Sequence, residues 1–287
     1  MTTAMGDLPL ARRYLPKSLG DKIALAFTVI MLLIVALFEL FIILPDIFPN
    51  YGTLYNVYVC IGLFLYLNCM GNLIMMTRID VTSGTTVLPA ILKTGWRYCH
   101  VCMQNSPPRS FHCFNCDSCI LKRDHHCVFA GKCVGYYNHR FYLVTLLYLF
   151  LGSLFANFLN FDHAWALLGG ANWKSLITMI VPFVAWIFGF TERYTFMLSF
   201  LCGTCIVACA LIGVMCYYYT SLMLHGQTTH ENGTRCKDYD LGWKQNLKDA
   251  LGERWYLVWL CPFISSHLPG NGLEFKKGRT MEDIKDM

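Results

Sequence analysis

Four stretches of the chain stay apolar long enough to cross a bilayer, which takes roughly 20 such residues. Residues 23–44 carry one charge, Glu39, whereas 55–76, 141–159 and 195–224 carry none. Each stretch predicts a membrane helix. Polar and basic residues precede the first stretch, which is also too long for a signal-peptide core, so it reads as a retained helix. A fifth apolar stretch, residues 175–190, is shorter and contains Pro182. It is read as a lumenal re-entrant or interfacial segment rather than a crossing. The pattern predicts an all-α polytopic membrane protein with four transmembrane helices. A polar, cysteine-rich loop interrupts it between spans two and three.

Composition sharpens this picture. The 287 residues are 55% hydrophobic and only 14% charged, too apolar for an ordinary soluble domain. The net charge of +5 says less than its placement. Residues 1–22 hold four Lys and Arg, 77–140 hold eight and 225–287 hold nine, against none in 45–54 and two in 160–194. The positive-inside rule then sets both termini and the middle loop in the cytosol. The expected organisation is a cytosolic N-terminus (1–22), spans one and two (23–76), a cytosolic cysteine-rich domain (77–140), spans three and four (141–224), and a cytosolic tail (225–287). The bilayer is the expected environment, and no nucleic-acid partner is expected.

Seven of the fifteen cysteines fall between Cys99 and Cys133. Disulfides are rare in the cytosol, so this cluster points to metal. The order is Cys99-x2-Cys102, then His112-Cys113-x2-Cys116-x2-Cys119, then His125-His126-Cys127 and Cys133. Pro107, Pro108, Asn115 and Asp117 supply turn residues suited to small zinc knuckles. A structural zinc ion takes four Cys or His ligands in a closed tetrahedron. Two sites of three cysteines and one histidine leave one cysteine and one of the paired histidines beside Asp124. Thiolate, imidazole and carboxylate are the parts of an activated nucleophile. A partial third metal site, or idle residues, satisfies the same count. Cys202, Cys205, Cys209 and Cys216 share a face of the last span and read as small packing residues.

The "RDHHC" run at Arg123 to Cys127 resembles the signature of the DHHC protein S-acyltransferases. The surrounding pattern from Cys99 to Cys133 is similar to that family's cysteine-rich domain. Thr228-Thr229-His230-Glu231, directly after the last span, resembles its Thr-Thr-x-Glu motif, and "NLKDALG" from Asn246 resembles a third. The resemblance covers nearly the whole chain.

It implies two structural zinc ions. Cys99, Cys102, His112 and Cys119 would hold one, and Cys113, Cys116, His126 and Cys133 the other. It implies Cys127 as acyl-accepting nucleophile, His125 as general base and Asp124 as its orienting partner. Thr229 would tie the tail to Asp124, and Asn246 would satisfy backbone groups that dock the tail. Gly152, about three turns into the third span, would lie near the closed end of an acyl cavity. The implied substrates are acyl-CoA (palmitoyl-CoA) and cysteine-containing, membrane-associated proteins, in Golgi or endoplasmic reticulum membranes. Arg97, Arg109, Lys122, Arg123 and Lys132 would either favour CoA phosphates or simply set topology.

The sequence departs from the family at Val128-Phe129-Ala130-Gly131-Lys132, where Pro-Trp and an Asn pair are usual. It departs again at "IDVTSG", where an Asp-Pro-Gly-like motif is usual. The alternative reading is a non-catalytic zinc-bearing membrane adaptor. A membrane ubiquitin ligase with a zinc domain fits less well, since it needs no free cysteine beside Asp-His.

Overall fold

The computed structural model describes residues 16–167, 178 and 181–278. Four helices among them are long and apolar enough to span a membrane: Leu19–Ile47, Thr53–Arg78, His139–Phe161 and Arg193–Leu224. Each contains one of the apolar runs read from the sequence and extends a few residues beyond it. Ser18 explains one early start, because its Oγ accepts from the Asp21 amide at 3.0 Å and caps the first turn.

The first span is not regular throughout. Helix α1, Leu19–Phe38, passes into a π-helical turn, Glu39–Ile43, and then a short α2, Leu44–Ile47. The Leu44 amide donates to the Glu39 carbonyl, five residues back. Pro45 gives the reason. It has no N–H to donate, and its ring would meet the Phe41 carbonyl in a straight α-helix, so the turn before it widens. The second span is α3, Thr53–Arg78, the third belongs to α4, His139–Leu167, and the fourth is α6, Arg193–Leu224. Of the segment 175–190, residues 178 and 181–190 are described, and they include a short helix α5, Pro182–Ile187.

The chain divides into two compact units. One takes residues 30–69 and 146–217 and contains most of the spans. Its core packs Ile43, Leu44, Leu159, Leu198 and Cys202 together, and of the four cysteines on the last span Cys202 and Cys205 are buried while Cys209 and Cys216 are half-buried. This unit also holds a cavity of about 320 Å³ lined mainly by aliphatic and aromatic side chains, with Gly152 among them. A Cβ on Gly152 would meet nothing within 4 Å.

The other unit contains the cysteine-rich region and the tail. Three two-stranded antiparallel hairpins follow one another: β1–β2 (Arg97–Cys99 with Gln104–Ser106), β3–β4 (Phe111–Cys113 with Ser118–Ile120) and β5–β6 (His126–Cys127 with Lys132–Cys133). Val81, Cys113, Ile120 and Cys133 form a core shared by the second and third hairpins. The "IDVTSG" stretch docks here, with the Leu121 amide donating to the Val81 carbonyl at 3.0 Å and Thr82 bridging Ile120. Two small tail helices complete the unit, α7 (Thr229–Gly233) and α8 (Trp243–Leu251).

Candidate active site and metal centres

The middle hairpin explains why the ligands interleave. Successive residues of a strand point to opposite faces. In β3, His112 therefore turns one way and Cys113 the other. His112 pairs across the hairpin with Cys119, and these two meet Cys99 and Cys102 from the first hairpin. Cys113 and Cys116 meet His126 and Cys133 from the third hairpin, where His126 and Cys133 are directly opposed. Within each set of four, the ligand atoms all lie within 4.8 Å of one another.

The separations test the fit to a metal. Cys102 Sγ lies 3.2 Å from His112 Nδ1 and 3.7 Å from Cys119 Sγ. Cys116 Sγ lies 3.4 Å from His126 Nδ1 and 3.6 Å from Cys133 Sγ. A tetrahedron with metal–sulfur bonds of about 2.3 Å has S···S edges of about 3.8 Å, so both sets match a closed four-coordinate site. His126 faces its cysteines through Nδ1, while its Nε2 meets Asp21 Oδ2 at 3.1 Å. A carboxylate on the far nitrogen is the usual way to fix a ligating imidazole. Buried Asn138 holds the last ligand strand by donating to the carbonyls of Cys133 at 3.0 Å and Met76 at 3.2 Å.

The same alternation keeps Cys127 out of both four-ligand sets. It follows His126 in β5 and pairs with Lys132, not with a ligand. The atypical Val128–Ala130 stretch forms a single 3-10 turn closed by Gly131 at φ 60°, a left-handed conformation that glycine adopts at little cost. The turn brings Lys132 and Cys133 back into register. Its missing indole and asparagines thus leave the hairpin intact.

Asp124 and His125 stand beside Cys127. Asp124 is buried, and its Oδ2 accepts from His125 Nδ1 at 2.6 Å. An ionised carboxylate only accepts, so the hydrogen between the two belongs to Nδ1 and Nε2 is left to face away from Asp124. Thr229 donates twice more to Asp124, from its amide to Oδ1 at 2.8 Å and from Oγ1 to Oδ2 at 2.9 Å. Burial would push the Asp124 pKa up, but the His125 hydrogen bond, nearby histidine charge and the Thr229 amide outweigh it and hold it low. Burial would likewise lower His125, yet hydrogen bonds to Asp124 and Cys127 raise it to about 9. The rings of Tyr142 and Tyr219 pack against His125 at 5.0 and 5.2 Å. Both tyrosines lie on spans, and nothing in their sequence neighbourhood marked them.

The tail motif now has a physical meaning. Thr228 is the N-cap of α7, and Glu231 occupies its third position. The Thr228 hydroxyl accepts from the Glu231 amide at 3.3 Å, and the Glu231 carboxylate accepts from the Thr228 amide at 2.8 Å. This reciprocal capping box leaves Thr229 free to face Asp124. Glu231 also takes two hydrogen bonds from Arg109, at 2.7 and 2.6 Å, in a pair buried on both sides. Arg109 in turn lies over the rings of Tyr239 and Phe275.

The last span ends on Gly226 at φ 63°, with the Gln227 amide reaching the Leu222 carbonyl at 2.9 Å. Asn246 Nδ2 satisfies the Leu224 carbonyl at 2.8 Å, and the Leu241 amide donates to its Oδ1 at 3.1 Å.

Two of the basic candidates leave the list for CoA phosphates. Arg109 is committed to Glu231, and Lys122 is buried, with burial and then Arg109 lowering its pKa to about 8. Lys132 donates to the Thr77 and Ile79 carbonyls at 2.7 and 3.2 Å. Arg97 alone of the set is exposed.

Residues 92–235 match the DHHC palmitoyltransferase family. The chain belongs to that family of acyltransferases. The match contains both four-ligand sets, Asp124-His125-Cys127 and the capping box. Similar proteins include probable palmitoyltransferase ZDHHC24 of Rattus norvegicus, 38% identical over 214 residues, 73% of this chain and 75% of that protein. The protein of the same name from Homo sapiens is 38% identical over 215 residues, 74% of this chain and 76% of that protein. Probable protein S-acyltransferase 12 of Arabidopsis thaliana is more distant, 32% identical over 189 residues, 62% of this chain and 59% of that protein.

Proposed function

We propose that this DHHC-family protein transfers a long acyl chain, such as palmitoyl, from acyl-CoA to a cysteine of a membrane-associated protein, through an acyl–Cys127 intermediate. One observation carries the reading: Cys127 stands off both metal sets, beside a histidine whose other nitrogen is tied to a buried carboxylate. His125 takes the thiol proton, and the Cys127 thiolate attacks the thioester carbonyl. The C–S bond to CoA breaks, and CoA leaves as a thiolate that the protonated His125 can neutralise. In the second step a substrate cysteine, deprotonated through the same histidine, attacks the acyl–Cys127 carbonyl and frees the Cys127 thiolate. Asp124, held by Thr229, keeps Nε2 of His125 as the working nitrogen and stabilises the imidazolium.

The two four-ligand sets would each hold zinc, whose tetrahedral thiolate and imidazole chemistry they suit. The metal's contribution is to fix the hairpins. The active site is proposed to face the cytosol, in Golgi or endoplasmic reticulum membranes.

Incubation of purified wild type and Cys127→Ser with labelled palmitoyl-CoA tests the reading. Wild type should carry a hydroxylamine-sensitive label, and the variant none. Equal thioester labelling of both would point to another nucleophile, and no label on either would favour the adaptor.

The cavity lined by Gly152 is the proposed room for the acyl chain, where each buried methylene is worth about 0.8 kcal/mol. A Cβ at Gly152 is unobstructed, so the helix accepts a larger side chain there. Gly152→Phe should shift preference towards acyl-CoAs shorter by several carbons. An unchanged chain-length profile would take Gly152 out of the acyl room.

A further inference from the structure

The second metal set has a partner that the first lacks. Both ligand histidines face their cysteines through Nδ1, so each has an Nε2 left to satisfy. That of His112 is buried with no hydrogen-bond partner among the described residues. That of His126 meets Asp21 Oδ2 at 3.1 Å, and both side chains are buried. A carboxylate taken out of water is costly unless it is hydrogen-bonded. Among the described residues, His126 is the one group that answers the Asp21 carboxylate.

The chain around Asp21 holds it in this place. Asp21 lies in the first turn of α1, where the Ser18 hydroxyl fixes its amide. Just before it, Pro16 packs on the turn of the third hairpin. A Cβ at Gly131 would overlap the Pro16 ring and would meet Asp21 Cβ at 3.5 Å. Residues 16–21 therefore lie over the hairpin that presents His126, Cys127 and Cys133. Since α1 runs on into the first span, that span begins at a contact with a candidate metal ligand. We propose that Asp21 is a positioning residue for the second metal set, tying the start of the first span to the hairpin that carries Cys127. By accepting from His126 Nε2 it fixes the tautomer and angle of the ring and leaves Nδ1 to the ion. The first set has no such tie. Under the acyl-transfer reading, the same contact holds the nucleophile's hairpin to the membrane helix. That consequence rests on the reading, and the metal-set role does not.

The test equilibrates the full-length protein in lipid nanodiscs, under reducing conditions, with buffers of graded free zinc. Alkylation followed by mass spectrometry then reports which cysteines have lost their ion. In Asp21→Ala, the midpoint for exposure of Cys113, Cys116 and Cys133 should move to about 10–100-fold higher free zinc, the usual cost of losing a carboxylate behind a ligating histidine. Cys99, Cys102 and Cys119 should keep their wild-type midpoint. Lys17→Ala removes an exposed contact of the same segment, with Asp117, and should leave both midpoints unchanged. An unmoved second set in Asp21→Ala, or an equal shift of both sets, overturns the proposal. So does a shift of the same size in Lys17→Ala, since any disturbance of the segment would then suffice. If Asp21→Ala does not fold, Asp21→Asn, which keeps the shape and loses the charge, must shift the second set alone, and a wild-type midpoint there overturns the proposal equally. Zinc occupancy is read without acyl transfer, so this outcome and that of the Cys127→Ser labelling are independent.

Discussion

Alanine at His126 is expected to strip zinc from the purified protein, whereas alanine at its neighbour His125 should leave two zinc ions per chain. The two histidines are adjacent, but His126 lies in β5 with its Nδ1 among Cys113, Cys116 and Cys133. His125 precedes the strand and turns to Asp124. Structural zinc contributes on the order of 10 kcal/mol to small zinc domains. Loss of a ligand in a three-hairpin unit without a large core of its own should therefore yield poorly folded protein. Loss of the proposed general base should instead cost about 10²–10⁴-fold in the rate of Cys127 acylation and spare solubility. Zinc content and acyl labelling measured on both variants decide the matter. Zinc lost from His125→Ala and kept by His126→Ala would reverse the assignment.

The second large effect is expected at Glu231. Its carboxylate is the sole ion-pair partner of Arg109 among the described residues, and the two side chains are only 9% and 5% exposed. Glu231→Ala leaves a guanidinium buried without its counter-charge, which costs about 3–5 kcal/mol. It also removes half of the capping box, so α7 loses its start and Thr229 loses its fixed position over Asp124. Denaturation of the detergent-solubilised protein should show the loss. The double variant Arg109→Leu with Glu231→Leu should recover much of it, because no charge is then stranded. A Glu231→Ala protein as stable as wild type would mean that the pair contributes little to holding the tail.

The four spans could be read from the sequence because a membrane helix needs only an uninterrupted apolar run. The ligand spacing was legible for a related reason: CxxC steps are local, and the chemistry of the donors limits their use. The hairpins were not legible, since strands of two or three residues are too short to show a period. Their register is set by the ligands they present. Nor could the sequence reveal contacts such as Arg109 with Glu231 or Asp21 with His126, which join residues more than a hundred positions apart. Arg109 was noticed as a basic residue and Glu231 as part of a motif. Only the fold shows that one answers the other. Glu39 was visible as a lone charge in a span, but its partner Asn160, 121 positions away, became apparent only in the fold.

The alternation in β3 also bears on how the protein is made. The chain emerges from the ribosome in order, and domains tend to fold as they emerge. The first metal set is complete once Cys119 has been synthesised, and the second closes fourteen residues later at Cys133. Both precede the third span, which begins at His139. The middle hairpin can therefore be pinned on one face by the first ion while its other face waits for His126 and Cys133. Metal loading would then run from the N-terminal set to the C-terminal one, and the hairpin that carries Cys127 would be the last to be locked. A shortage of zinc during synthesis would fall first on the set that holds Cys127 in place.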